Sequence, residues 1–244
     1  MNERPLPPAF YAGGEGVIRQ WLTVLHPPYT LWHLCYVVIG ACLAPKLDLF
    51  RLSLSLIAFF LAVGVAAHAL DELHGRPLRT SISDASLKGA AAGALIGAVG
   101  VGIYGIGLAG PGLIPLIVAG VFLVVAYNLE WFSGRVHSDS WFAASWGSFP
   151  LLVAYYAQAE TITAAALLGA AAAFALSYAQ RALSTPARDL RRRVVRVEGE
   201  LELATGEVQP LHREELLLPL ERALKAMTWA MVALAATLLA GRLL

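Results

Sequence analysis

Charge is scarce in this sequence. Asp, Glu, Lys and Arg make up 14% of its 244 residues, where a soluble domain carries about 25%. Neither sign is in clear excess. The formal net charge is +1, so no strong field of one sign speaks for a nucleic-acid partner. Cysteine is nearly missing. Cys35 and Cys42 fall on one face of a single apolar run and read as buried thiols, which excludes a disulfide framework. A cleavable signal peptide is not expected either. Residues 1–16 hold Pro5, Pro7, Pro8, Gly13, Gly14 and Gly16 with no apolar core, so the first spanning helix is expected to direct insertion.

What the chain has instead is apolar length. Hydrophobic residues are 58% of the sequence and the mean hydropathy is +0.64. The fold expected is an all-α, multi-pass membrane bundle. Seven apolar stretches, about 29–44, 49–70, 87–109, 112–129, 141–158, 161–183 and 223–244, each approach the ~20 residues that cross a bilayer. Before them, Val17, Trp21, Val24 and Leu25 share a helical face, as expected of a short interfacial helix. The organisation expected is thus an N-terminal segment 1–28 and a transmembrane bundle 29–244, with 184–222 as a polar loop or cap before the last helix.

The connections alternate. Those at 45–48, 110–111 and 159–160 are short. Those at 71–86, 130–140 and 184–222 are long, polar and arginine-rich. The positive-inside rule puts the long ones, and the N-terminus, in the cytoplasm. The location expected is therefore a cell's inner or cytoplasmic membrane. Lys46 and Arg51 stand on the other side. Dense small residues, Gly89, Gly93, Gly97, Gly100 and Ala170–Ala173, predict close packing of the third and sixth helices inside the bundle.

Ionisable groups collect where the second, fourth and sixth helices end: His68, Asp71, Glu72 and His74; Tyr127, Asn128, Glu130, Arg135, His137 and Asp139; Gln180, Arg181, Arg188 and Asp189. Even-numbered helices end on the same side, so these groups can converge on one cavity. His68, Asp71 and Glu72 share a helical face. Three readings are open. The carboxylates hold Mg²⁺ and a diphosphate; His68, Asp71 and His74 ligate Zn²⁺, Mn²⁺ or Fe²⁺; or the carboxylates simply pair with Arg76 and Arg79 at a solvated helix end. Arg76, Arg79, Arg135, Arg181 and Arg188 suit a phosphate by their planar donor forks, and also serve topology. His26, His33 and Trp32, Tyr36, Trp131, Trp141 and Trp146 read as interfacial belt residues, or as the lining of a cavity for a carbocation.

Over residues 20–200 these motifs resemble the UbiA-type intramembrane prenyltransferases. His26-Pro27-Pro28-Tyr29-Thr30-Leu31 is similar to the family's entry to its first helix. Gly75-Arg76-Pro77-Leu78 is similar to the segment after its first Asp-rich motif. Tyr127-Asn128, Arg135 and Trp146-Gly147-Ser148-Phe149-Pro150 resemble the pattern around its fourth and fifth helices, and Arg188-Asp189 sits where its second Asp-rich motif follows the sixth. The first motif usually reads Asn-x-x-x-Asp-x-x-x-Asp; with Asp71 at the middle position, Ala67 and Gly75 stand at the outer ones. Arg193 stands four residues after Asp189, and seven helices stand against the family's usual nine.

The resemblance implies an enzyme that acts on an isoprenyl diphosphate with Mg²⁺, or with Mn²⁺ or another divalent ion. Its metal ligands would be Asp71, Glu72 and Asp189, with His68 and His74 as candidates, and these three carboxylates would be catalytic. Arg76, Arg79, Arg135 and Arg188 would hold the diphosphate, while Tyr127 and Asn128 would line the cavity. Two other classes fit the residues: a non-catalytic lipid-binding protein on the same scaffold, and a His/carboxylate metal enzyme using His68, Asp71, Glu72, His74 and His137. Membrane lipids are expected partners of all three.

Overall fold

The computed structural model describes residues 6–12 and 16–244; the rest of the N-terminal segment, including Pro5, Gly13 and Gly14, lies outside the described residues. The fold is all-α with one hairpin. α1 (Val17–Val24) is followed by α2 (Pro27–Leu43), α3 (Leu49–Leu73), α4 (Asp84–Ala109), α5 (Leu113–Asn128), α6 (139–159) and α7 (Ala164–Arg192). β1 (Gly199–Glu202) pairs antiparallel with β2 (Val208–Leu211), and α8 (Arg213–Leu243) closes the chain. The seven expected stretches are the seven helices α2–α8. Four of them, α3, α4, α7 and α8, are long and apolar enough to cross a membrane; α5 is shorter, though apolar.

α1 forms where an apolar face was expected, and its Val17, Ile18 and Leu22 stay exposed. Pro27 and Pro28 then start α2, where the missing N–H groups are no loss. α2 is the centre of the bundle. Trp32, Cys35, Tyr36 and Ile39 pack against Leu151, Ala170, Ala173, Met231 and Ala235 of α6, α7 and α8. Val37 and Ala41 pack on the other side with Leu52, Phe59, Val63 and Tyr127. A Cβ at Gly40 would lie 2.2 Å from the Leu151 carbonyl oxygen, so only glycine allows α2 and α6 to meet this closely. Both cysteines are free and buried. So are Trp32, Tyr36, Trp146, His26 and His33, which moves them from the expected interfacial belt into the interior. Trp131 and Trp141 do remain exposed.

Three differences from the sequence reading are structural. The small residues of α4 do not pack inward: nothing lies within 4 Å of a Cβ placed on Gly89, Gly93 or Gly100, and the buried positions are Leu87, Ala91, Ala94 and Ala109. The segment 184–222 is not all loop: helix runs into it from both ends. α7 runs through Pro186 to Arg192 and α8 begins at Arg213, because Ala187, Leu217 and Leu224 pack their extensions together, with Leu6 beside them. Only the hairpin and its flanks lie between. Last, α3 and α6 are interrupted by π-helical turns at Phe60–Ala67 and Ala144–Ser148. Such turns rotate the residues beyond them, and they recur at functional sites.

The bundle has a basic end and a plain end. At the plain end Arg51 donates to the carbonyl oxygens of Leu108 (2.6 Å) and Ala157 (3.1 Å) and pairs with Glu160. It thereby satisfies the last carbonyls of α4 and α6, which no helical N–H reaches. Arg242 of α8 does the same for Cys42 and Ala44. α1, the arginine-rich connections and the hairpin gather at the basic end.

A candidate anion site at the basic end

Helix ends build the site. The π turn in α3 precedes His68 and Asp71; the one in α6 carries Trp146. α5 supplies Tyr127 and Asn128 at its last turn. α7 supplies a stripe, Gln180, Arg181, Ser184, Arg188 and Arg191, at helical spacing. These side chains, with His26, Tyr29, His33, His137 and the turn at Pro8–Tyr11, surround a cavity of about 120 Å³. One water needs only ~10–15 Å³ by this measure, so a polyatomic group fits.

Cations outnumber their partners here. Arg181 is paired with Asp139 at 2.8 Å and lies over the Phe142 ring. Arg191 is held bidentate by Glu221. Arg188 meets only the Thr185 hydroxyl, at 3.3 Å, and Arg192 donates to the Pro8 carbonyl at 3.0 Å. Neither has a carboxylate within ion-pair distance among the described residues. Guanidiniums drawn off water without a counter-charge favour an anion.

The histidines are oriented one by one. A carbonyl oxygen only accepts, so the Nδ1 of His33 donates to Trp146 O (2.8 Å), that of His68 to Gly64 O (3.2 Å) and that of His137 to Tyr127 O (3.1 Å). In the neutral rings of His33 and His137 Nε2 is then the unprotonated nitrogen; His68 is also bonded to the Leu25 carbonyl. The His26 ring lies 4.5 Å from that of His68. Tyr127 stacks on His137 at 4.4 Å and meets Trp146 edge-on at 5.5 Å. Three buried polar atoms of residues that line this cavity have no hydrogen-bond partner: His26 Nε2, Tyr127 OH and Gln180 Oε1. Buried polar groups are almost always paired, so three orphans on residues around one cavity are groups that a ligand's polar atoms would answer.

The residues singled out in sequence divide. Asp71, His68, Tyr127, Asn128 and Arg188 line the cavity. Glu72 does not. It is completely buried and points the other way, accepting from Leu78 N (2.9 Å), Thr80 N (3.0 Å) and Thr80 Oγ1 (2.8 Å); its role is to hold the loop after α3. Asp189 lies 3.5 Å from Arg193 outside the cavity. His74 faces Glu130 at 3.8 Å. Arg76 serves the same loop through Ile82 O and Asp84, Arg79 reaches Arg192 O, and Arg135 is exposed and outside the lining. Asp71, Glu72 and Asp189 therefore do not converge on one point in this structure. Among the described residues no three His, Cys, Asp or Glu side chains stand close enough to hold a metal ion, and Asp71 is the one of the three left without a partner in this cavity. His26 and His33, read as belt residues or cavity lining, do line this cavity, and the residues that sequence reasoning gave no site role are Tyr11, Tyr29, Arg191, Arg192 and Glu221. For Arg191 a signal was present, the i+3/i+4 stripe, but it lay in a stretch read as loop or cap.

Comparisons of the chain with protein-family models, with curated proteins and with solved structures gave no match.

Proposed function

We propose that the chain is a polytopic membrane protein of UbiA-like architecture, crossing seven times with its basic end in the cytoplasm, that binds an isoprenyl diphosphate. The observation that carries the proposal is the cavity itself: two guanidiniums without a carboxylate partner and three orphaned polar atoms at one end of an apolar bundle. A second, apolar cavity of about 120 Å³ follows along the same helices. It begins at Phe59 and Ala62 of α3 and Phe149 of α6, next to Val63 and Trp146 of the polar one. A diphosphate head in the first and a hydrocarbon chain toward the second match this order. For a reaction, prenyl transfer is the class such a ligand implies. Arg188 and Arg192 would stabilise the negative charge that grows on the leaving diphosphate as its bond to the allylic carbon breaks.

The purified chain in lipid nanodiscs, titrated with geranyl, farnesyl and geranylgeranyl diphosphate, tests this. Binding is expected to persist in EDTA, since the contacts come from guanidiniums. Arg188→Gln is expected to weaken it about tenfold or more, the worth of one charged hydrogen bond. Diphosphate release in the same samples reads turnover. Failure of all three chain lengths to bind overturns the proposal; binding lost in EDTA overturns the guanidinium basis for it.

A further inference from the structure

His26 is the most constrained group on the cavity wall. It stands directly before Pro27, where extended backbone is the rule, yet its φ is 46° and its ψ 59°. A non-glycine residue holds that left-handed geometry only when its surroundings impose it. Here the constraint is visible. The Tyr11 hydroxyl is bonded to His26 Nδ1, the Tyr11 ring packs edge-on at 5.6 Å, and the His68 ring lies on the other side. The side chain is 8% exposed, and its Nε2 has no partner.

The tautomer follows from this pairing. No other hydrogen-bond partner of the Tyr11 hydroxyl occurs among the described residues, and a phenol is a better donor than acceptor. Tyr11 therefore donates to Nδ1, and the imidazole proton sits on Nε2. The result is an N–H that is buried and unanswered, on a residue that lines the cavity. It differs from His33 and His137, whose Nε2 is the unprotonated nitrogen. Burial holds the His26 ring well below the ordinary histidine range, with His68, Arg192 and Arg188 adding to the effect, and it pushes the Tyr11 phenol up. Both keep the proton placement just described.

We infer that His26 is the neutral donor of this site, its Nε2–H meeting a phosphate oxygen of the bound group between the charged contacts of Arg188 and Arg192, with Tyr11 as the positioning residue that sets its tautomer. The inference rests on the reading of the cavity as a phosphate site. A neutral donor among cations adds a directional contact without adding charge, so it discriminates geometry where guanidiniums discriminate charge. It also makes the N-terminal segment part of the binding site.

The test titrates the full chain in nanodiscs with inorganic diphosphate and with geranyl diphosphate, which separates the head alone from the lipid. Asn at position 26 tolerates left-handed backbone and keeps an acceptor where Nδ1 stood, but has nothing at Nε2; Gln reaches the Nε2 position with an amide N–H. His26→Asn is expected to bind both probes about tenfold more weakly with an unchanged unfolding midpoint, and His26→Gln to restore most of the loss. Tyr11→Phe frees the tautomer and is expected to weaken both by a smaller factor. Wild-type protein that binds the probes equally well as His26→Asn overturns the inference and leaves the phosphate reading standing. Equal losses in the Asn and Gln variants also overturn it, because they mark a packing role. Wild-type protein that binds neither probe removes both.

Discussion

Asp71 and Glu72 are chemically alike, adjacent in sequence and opposite in role. Asp71 faces the cavity without a partner; Glu72 is fully buried with three donors on its two oxygens. Glu72→Gln puts an amide N–H against backbone N–H groups, and a buried donor left unmet costs about 1–3 kcal/mol. Its thermal unfolding midpoint in detergent is expected to drop. Asp71→Asn removes no native contact, so it is expected to leave the midpoint in place and change ligand affinity instead. A large midpoint loss in the Asn variant would count against this division. His26 adds a pH dependence. Its folded-state pKa lies below the ordinary value of about 6.5, chiefly through burial, so the unfolded chain binds the extra proton first. The stability from the neutral ring is fully present above about pH 6.5 and declines as pH falls below it. Unfolding midpoints scanned from pH 7.5 to 5 are expected to fall, and His26→Asn to flatten the slope.

At the scale of elements, contacts explain what patterns did not. Hydropathy marked the apolar stretches that became α2–α8, because burying or spanning requires apolar length whatever the packing. It did not mark the ends of α7 and α8. Residues 184–192 are as polar as a loop, but Ala187 and Leu190 meet Leu217 and Leu220, and Arg191 meets Glu221; the helix continues because a partner helix is there. The same holds for glycine. Gly40 reads like the glycines of α4, yet only it has a backbone against it. Gly40→Ala is expected to cost about 1–3 kcal/mol through overpacking, since the Leu151 carbonyl cannot rotate away, while Gly93→Ala, open on that side, is expected to be neutral or stabilising. Chemical unfolding of the two variants side by side checks the contrast.

For the whole molecule, the basic and plain ends lead to a topology. α1 and the hairpin lie at one end and Arg242 at the other, and the proposed seven crossings would put those ends on opposite sides of the membrane. Cysteines placed at Glu202 in the hairpin and at Leu244 should label from opposite sides with a membrane-impermeant maleimide; Cys35 and Cys42 are buried and should stay silent. Labelling of both positions from one side would break the seven-crossing reading.

Composition and apolar periodicity by themselves determined that this chain is a helical membrane-type bundle, with most of its arginines at one end and the ends of the second, fourth and sixth apolar helices meeting there. Those properties are sums over many residues, so each single deviation matters little. Tertiary structure decided which polar groups share the cavity. A carboxylate's direction depends on a π turn several residues earlier, an arginine's on whether a neighbouring glutamate reaches it, and a histidine's tautomer on a tyrosine fifteen residues before it. Each of these is set by one contact, and a contact between distant residues leaves no period or spacing in the sequence to be read.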